Sequence, residues 1–254
     1  MIFGLEFPPV SHAIEWPDLF GSGAFAVNKV VLLMWISAAI VFAIFFLASR
    51  DKGLVPTGVR NVAESAIDFI EEGIVMQTMG HDGLKYTPLL LTFFTFILAN
   101  NLWGIIPVAQ MPVNARMALP LFMALLVWVI FIVVGIVKQG PIKYFTNIMF
   151  PPGVPKALYI LVTPIELVST ILVRPLSHSV RLFANALAGH LILISFAVIT
   201  AALFTANAVA VILPFSFGLL VALTGFELLV AFLQAYIFTI LAGVYIGSSL
   251  HAEH

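Results

Sequence analysis

The chain has 254 residues, of which 62% are hydrophobic and 9% charged, and its net charge is −1. A soluble domain carries about a quarter charged residues, so this composition, with a mean hydropathy of +1.13, places the chain among membrane proteins. The near-neutral charge argues against a nucleic-acid partner. The absence of cysteine excludes disulfides, thiolate metal sites and cysteine nucleophiles.

Long apolar runs without strict alternation predict an all-α membrane protein, because lipid leaves helices and closed barrels as the only ways to satisfy the backbone. We expect a single membrane domain, residues 1–254, with an external N-terminal segment (1–26) and about five transmembrane helical units. The first span is expected at 27–48 and the second and third within 88–137, as the runs 88–109 and 117–137, followed by two longer regions at 157–203 and 208–249.

Positive charge lies in two of the connections, residues 49–60 and 138–156, and the second carries three lysines and no acid. The positive-inside rule assigns both to the cytoplasmic side. A multi-pass protein of the cell (inner) membrane is therefore expected, with its N-terminus outside and its C-terminus in the cytoplasm.

Residues 59–79 differ from the spans because their charges alternate with apolar residues at spacings of three and four. Val62, Ala66 and Phe69 share this spacing, while Glu64 and Asp68 fall elsewhere. The pattern predicts one amphipathic helix on the cytoplasmic surface. It leaves open whether that helix touches lipid or packs on the protein.

The C-terminal part, residues 157–250, is too long for simple spans. A continuous helix over 157–203 would extend about 70 Å, more than twice the ~30 Å hydrocarbon core. Such a helix must tilt or bend, and Pro164 and Pro175 offer places to bend. Together with a short turn around Phe204–Asn207, this predicts a long tilted helix hairpin that lies along a partner.

Arg181 is the least expected charge in this hairpin. A charge at a helix centre costs about 3 kcal/mol on insertion scales, so it needs water, a counter-charge or a functional path. Ala184 and Ala188 follow it at helical spacing and would let another helix approach closely. Arg174 lies beside a proline and could extend its charge to the interface, which favours a structural role.

Helical periodicity sorts the polar side chains of the two long helices into faces. Asn185 shares the face of Arg181, whereas His190 points the opposite way, toward the second long helix. On that helix Glu227, Gln234 and Tyr245 fall within one stripe. Such groups can relay protons, because they accept and donate hydrogen bonds.

Two further polar residues are weaker candidates. Glu166 could equally bridge helices, and His178 could be an interfacial histidine beside Arg174. Tyr245 is grouped with them as a third weaker candidate. No metal-binding or cofactor-binding group of residues is predicted.

Three segments resemble subunit a of the F-type ATP synthase. They are "RLFANALAGH" (181–190), "ELLVAFLQAYIFTILAGVY" (227–245) and "NLWGIIP" (101–107). The resemblance covers most of the chain from about residue 28, and its first motif is highly specific.

The resemblance implies a proton-translocating stator subunit that is not catalytic by itself. Arg181 would be the essential arginine facing the rotating ring of c subunits, with Asn185 and Gln234 close to it. His190 and Glu227 would be the polar pair of the outside half-channel. The implied partners are the c-ring subunits, a peripheral-stalk b-type subunit and the lipid bilayer.

The resemblance further implies two offset half-channels that carry protons to and from the ring carboxylates, while Arg181 prevents a direct leak. A proton-coupled secondary transporter is the alternative, since it too would use intramembrane arginine, glutamate and histidine. Such transporters usually show inverted repeats, and none is visible. An intramembrane hydrolase built on Ser177 or Ser179 with His178 is disfavoured, because neighbouring helical residues point in different directions.

Overall fold

The protein is an all-α membrane protein with one small β-hairpin near its start. The computed structural model describes residues 18–21, 26–50, 57–106, 109, 111–150, 155, 158–205 and 212–250. Strands β1 (Asp18–Phe20) and β2 (Val27–Asn28) pair antiparallel, with Asp18 opposite Asn28. The all-α prediction is confirmed, and most of the expected external segment, with the turn around Phe204–Asn207, lies outside the described residues.

The helices follow the apolar runs closely. They are α1 (Lys29–Arg50), α2 (Val59–Ile70), α3 (Met76–Thr78), α4 (Thr87–Leu102), α5 (Ala118–Gln139), α6 (Pro141–Met149), α7 (Tyr159–Val168), α8 (Arg174–Thr205) and α9 (Leu213–Leu250). A π-helical turn, Glu71–Val75, joins α2 to α3, and a second, Ser169–Val173, joins α7 to α8. Short 3₁₀ helices cover Gly80–Tyr86 and Val113–Ala115.

Four helical stretches in the described part of the chain are long and apolar enough to cross a membrane: α1, α5, the continuous stretch Tyr159–Leu203, and α9. The span expected at 88–109 stays a prediction, and the helix found there, α4, ends at Leu102 after 16 residues. That is about 24 Å, less than the hydrocarbon core. Tight i−3 bonds follow it, such as Gly104 N to Asn101 O at 3.1 Å, and they end the helix.

The long stretch from Tyr159 to Leu203 contains a π-helical turn. The sequence predicts that this stretch tilts or bends at Pro164 and Pro175, and the irregular turn, Ser169–Val173, lies between the two prolines; the tilt or bend itself stays a prediction. Pro175 has no N–H to donate to the carbonyl of Ile171, four residues earlier. The wide π turn therefore lies where the α-helical bonding is already interrupted.

Helices α8 and α9 run antiparallel to each other, with residues 189–200 of α8 beside residues 216–227 of α9. Thr200 and Ser216 share a hydroxyl hydrogen bond of 2.7 Å, and Gly189 contacts Glu227. The two contacts are eleven residues apart on each helix, so the pairing keeps one register. The predicted tilt of this hairpin stays a prediction.

The amphipathic segment at 59–79 packs on protein through its C-terminal part. Ile74 and Val75 are fully buried, and a Cβ placed on Gly247 of α9 would be 2.5 Å from the Thr78 carbonyl oxygen. Gly243 also contacts Thr78. The question left open by the sequence is answered for this part, which contacts the last helix through its glycines.

Contacts between Cα atoms divide the chain into two compact units. One contains Met1–Phe42, Phe96–Arg116 and Phe183–Ala235, and the other contains Ala43–Thr95, Met117–Leu182 and Tyr236–His254. Helices α1, α4, α8 and α9 contribute residues to both. The units are therefore not successive domains along the chain.

Candidate functional site

The first unit contains a recess whose polar lining comes from three helices. Asn101 of α4, Asn185 of α8, and Glu227 and Gln234 of α9 line it together with Pro112, Ala186, Val230 and Ala231. It is partly open, and its cavity volume is about 20 Å³. The structure thus brings together three of the predicted residues, Asn185, Glu227 and Gln234.

Glu227 is the ionisable member of this lining. Its side chain is largely buried, at 9% exposure, and its Oε2 atom has no hydrogen-bond partner in the described part of the chain. A Cβ placed on Gly189 of α8 would be 3.1 Å from Oε1 of Glu227. The missing side chain at Gly189 therefore lets the carboxyl group lie against α8, within a surrounding where an unpaired charge is costly.

His190 follows Gly189 on α8 and is buried, at 3% exposure. This agrees with a position inside the helix pair rather than on an outer face. Its pairing with Glu227 stays a prediction.

Arg181 lies in the first half of α8 and is exposed. Within the described residues its guanidinium forms no hydrogen bond or ion pair. Ala184 and Ala188, three and seven residues further on, are exposed as well and share its face by helical periodicity. The charge is thus presented on an open surface of small side chains, where a counter-charge must come from another molecule or from water.

The second unit contains an aromatic cluster built around Tyr245. The Arg174 guanidinium lies 5.4 Å from the Tyr245 ring centroid, a cation–π distance. The His178 ring is 3.9 Å from that of Phe238 and 5.8 Å from that of Tyr245. His178 is buried at 3% exposure, and these residues leave no room among them for a water molecule.

The structure gives the neighbours of Tyr245 and the exposure of Glu166, two of the weaker candidates. Tyr245 was expected in one stripe with Glu227 and Gln234, but its partners are Arg174, His178 and Phe131. Eighteen residues along α9 correspond to about 27 Å, so a shared stripe does not mean a shared site. Glu166 is half-exposed on α7, and its role stays a prediction.

Sequence reasoning missed Asn101, which lines the recess, and Asn114, which donates a hydrogen bond to it. Asn101 lines the recess, and its amide bonds to Asn114 and to the Ala231 carbonyl. The sequence feature that could have identified Asn101 is the pair of asparagines at 100–101, at the end of an apolar run. Buried amides without partners are costly, so such a pair predicts internal hydrogen bonds.

The chain is similar in sequence to known proteins. The family described as ATP synthase A chain matches residues 31–247, which include every residue of the recess and of the aromatic cluster. An ATP synthase subunit a of Frankia alni is 41% identical over 261 residues, covering 99% of this chain and 88% of the relative. Subunits a of Rhodococcus erythropolis and Rhodopseudomonas palustris are 39% and 41% identical and cover 95% and 87% of this chain.

The chain belongs to the ATP synthase subunit a family.

Membership in this family confirms the resemblance drawn from "RLFANALAGH" and the two other segments. It also gives the general role: a multi-pass helical subunit of the ATP synthase membrane sector. The proton-coupled secondary transporter that the sequence left as an alternative is no longer needed to explain the intramembrane charges.

Proposed function

We propose that this subunit is the stator through which protons reach and leave the carboxylates of a c-ring, so that proton flow drives rotation and ATP synthesis. The Arg181 guanidinium, exposed and without a hydrogen bond or ion pair to any described residue, is the observation that carries this proposal. An arginine keeps its proton at any working pH. It therefore offers a fixed positive charge on a surface that lipid alone would accommodate poorly.

A carboxylate of the ring that passes this surface meets the charge of Arg181. An opposite charge nearby favours the ionised form of a carboxyl group, and the attraction is strong where water is scarce. Arg181 thus promotes release of the proton that the ring carries. The same positive charge repels protons, and so it blocks direct passage between an entry path and an exit path.

The recess is the part of the entry path that this chain supplies. Glu227 can take up and release a proton, while Asn185 and Gln234 can donate and accept hydrogen bonds around it. The cavity of about 20 Å³ has room for about one water molecule, which needs about 10–15 Å³ of such space. His190, buried on α8, completes the entry path as the partner of Glu227.

The orientation and the other partners follow the same proposal. The N-terminus lies outside and the C-terminus in the cytoplasm of a bacterial-type inner membrane, since the lysine-rich connection at 138–156 is retained inside. Glu166 then lies toward the cytoplasmic exit path. A peripheral-stalk b-type subunit holds the chain against the torque of the c-ring.

ATP-driven proton pumping by membrane vesicles tests the proposal. Arg181→Ala is expected to abolish coupled pumping, and Arg181→Lys to impair it severely, because a compact ammonium does not replace the planar guanidinium. Arg174→Ala is the matched control, since Arg174 lies on the same helix but contacts the Tyr245 ring. It should keep most of the pumping.

Wild-type pumping by Arg181→Ala would overturn the proposal. Equal losses in Arg181→Ala and Arg174→Ala would also contradict it, because the effect would then belong to the helix rather than to the exposed charge. Immunoblots of the assembled complex allow each rate to be expressed per complex.

A further inference from the structure

Asn101 and Asn114 form a hydrogen-bonded pair at the edge of the recess. Asn114 Nδ2 donates to Asn101 Oδ1 at 2.8 Å. Asn101 Nδ2 donates in turn to the carbonyl oxygen of Ala231 at 3.4 Å. Both side chains are buried, at 7% exposure for Asn101 and 0% for Asn114.

These two bonds fix the orientation of the Asn101 amide. Its oxygen must face Asn114, because Asn114 presents a donor there, and its nitrogen must face α9, because Ala231 presents an acceptor. A primary amide has two N–H hydrogens, and Ala231 accepts only one. The other is available to a group in the recess, which Asn101 lines with Glu227 and Gln234.

The acceptor on α9 lies one helical turn from the acid. Ala231 follows Glu227 by four residues, and both belong to the recess lining. The bond from Asn101 therefore holds the stretch of α9 that carries Glu227. Asn114 itself does not line the recess, so any effect it has must pass through Asn101.

We propose that Asn101 is a further polar member of the proton-transfer recess and that Asn114 is the positioning residue that orients the Asn101 amide toward Glu227. This inference rests on the proposed function of the recess and deepens it. A hydrogen bond from an amide N–H to a carboxylate favours the ionised form, so the orientation of one buried amide tunes the proton exchange of the recess.

Asn100 supplies a matched control within the same helix. It is fully buried, and its Nδ2 donates to the Phe96 carbonyl of its own helix at 2.9 Å. It does not line the recess. Replacing Asn100 removes an equally buried amide without touching the Asn101–Asn114 pair.

The experiment measures proton flux through vesicles that carry the assembled complex, at a series of pH values, for Asn101→Leu, Asn114→Leu, the double variant and Asn100→Leu. Asn101→Ala and Asn114→Ala accompany them, because they remove the amides without adding bulk. Both Asn101→Leu and Asn114→Leu should lower the flux per complex about fivefold, as expected for one lost hydrogen bond. The double variant should lose no more than Asn101→Leu alone.

The pH profile separates positioning from simple destabilisation. Glu227 is the one ionisable side chain among the described residues that line the recess, and Arg181 and His190 are the ionisable residues that precede and follow the lining on α8. Loss of the amide donor should move the midpoint of the flux profile toward higher pH by about half a unit or more. Misfolding would lower the amount of complex without moving the midpoint.

Wild-type flux in the Asn114 variants, or additive losses in the double variant, would overturn the inference. So would an equal loss and shift in Asn100→Leu. Arg181→Ala, run in parallel, keeps the two proposals distinct: if it abolishes coupled pumping while the asparagine variants behave as wild type, only the inference about Asn101 and Asn114 fails. Normal pumping by Arg181→Ala would instead remove the proposed function itself.

Discussion

The recess around Glu227 and the aromatic cluster around Tyr245 both bury ionisable side chains in a protein that crosses a membrane. In the recess, a carboxyl group and three amides line a partly open cavity of about 20 Å³. In the aromatic cluster, Arg174 and His178 pack against rings and leave no room for a water molecule. The recess and the aromatic cluster thus surround their polar groups with different neighbours.

The recess and the aromatic cluster illustrate two different roles for a buried ionisable side chain. A carboxyl group that lines a partly open recess, as Glu227 does, can exchange protons with water or with a partner. A guanidinium or imidazole packed on an aromatic face is held by cation–π and ring contacts. We therefore expect changes in the recess to alter proton transport, and conservative changes in the aromatic cluster to alter mainly stability.

The largest effect should come from the acid of the recess. Glu227→Gln keeps the size and the hydrogen bonding of the side chain but removes its titration. Pumping should fall at least about tenfold, the lower part of the range for a lost acid–base group. ATP-driven proton pumping by vesicles measures it, with the ATPase rate recorded in the same preparation.

The exchange of His190 and Glu227 sharpens this prediction. If the two act as a pair, the double variant His190→Glu, Glu227→His should pump faster than either single variant. Absence of any recovery would leave His190 as a buried histidine without a part in transfer.

A smaller effect is expected at Gly189. In Gly189→Ala the new Cβ would be 3.1 Å from Oε1 of Glu227, so the carboxyl group must shift by a few tenths of an ångström. Pumping should fall by a few fold, about 1 kcal/mol in barrier terms. Gly218→Ala on α9 is the matched control, because its Cβ would meet no atom within 4 Å, and a comparable loss there would assign the effect to helix flexibility.

The smallest effect is expected at Tyr245. Tyr245→Phe keeps the ring under Arg174 and beside His178, so pumping and the melting temperature of the purified complex should stay close to wild type. Tyr245→Leu removes the ring and should lower the melting temperature, since a cation–π contact contributes about 0.5–2 kcal/mol. Loss of pumping in Tyr245→Phe would place the hydroxyl in the proton path and would remove the contrast between the two regions.

Charge in an apolar stretch was the informative feature of the sequence. Arg181, Asn185, Glu227 and Gln234 could be selected because each is expensive in lipid and because helical periodicity relates the positions on one helix. The same reasoning predicted the antiparallel helix pair, which the Thr200–Ser216 bond shows.

Features that depend on contacts between distant segments could not be predicted in this way. Asn114 reaches Asn101 across a turn, and no local pattern contains that contact. The π turn at Ser169–Val173 and the early end of α4 depend on which backbone groups find partners. Tyr245 shares a helical stripe with Glu227, but only the packing of α5 and α8 on α9 decides its neighbours.

The central claim is that the face of α8 bearing Arg181 lies against a ring that supplies carboxylates, and disulfide cross-linking tests it most directly. The chain has no cysteine, so Ala184→Cys, one turn from Arg181 and exposed, supplies a unique thiol while Arg181 is retained. Leu182→Cys is the matched control, because Leu182 is buried at 1% exposure. With a second cysteine one turn from the ring carboxylate, oxidation should join Ala184→Cys to the ring subunit and leave Leu182→Cys unlinked. A ring cross-link through Leu182→Cys alone, or through neither variant in fully assembled complexes, would contradict the account.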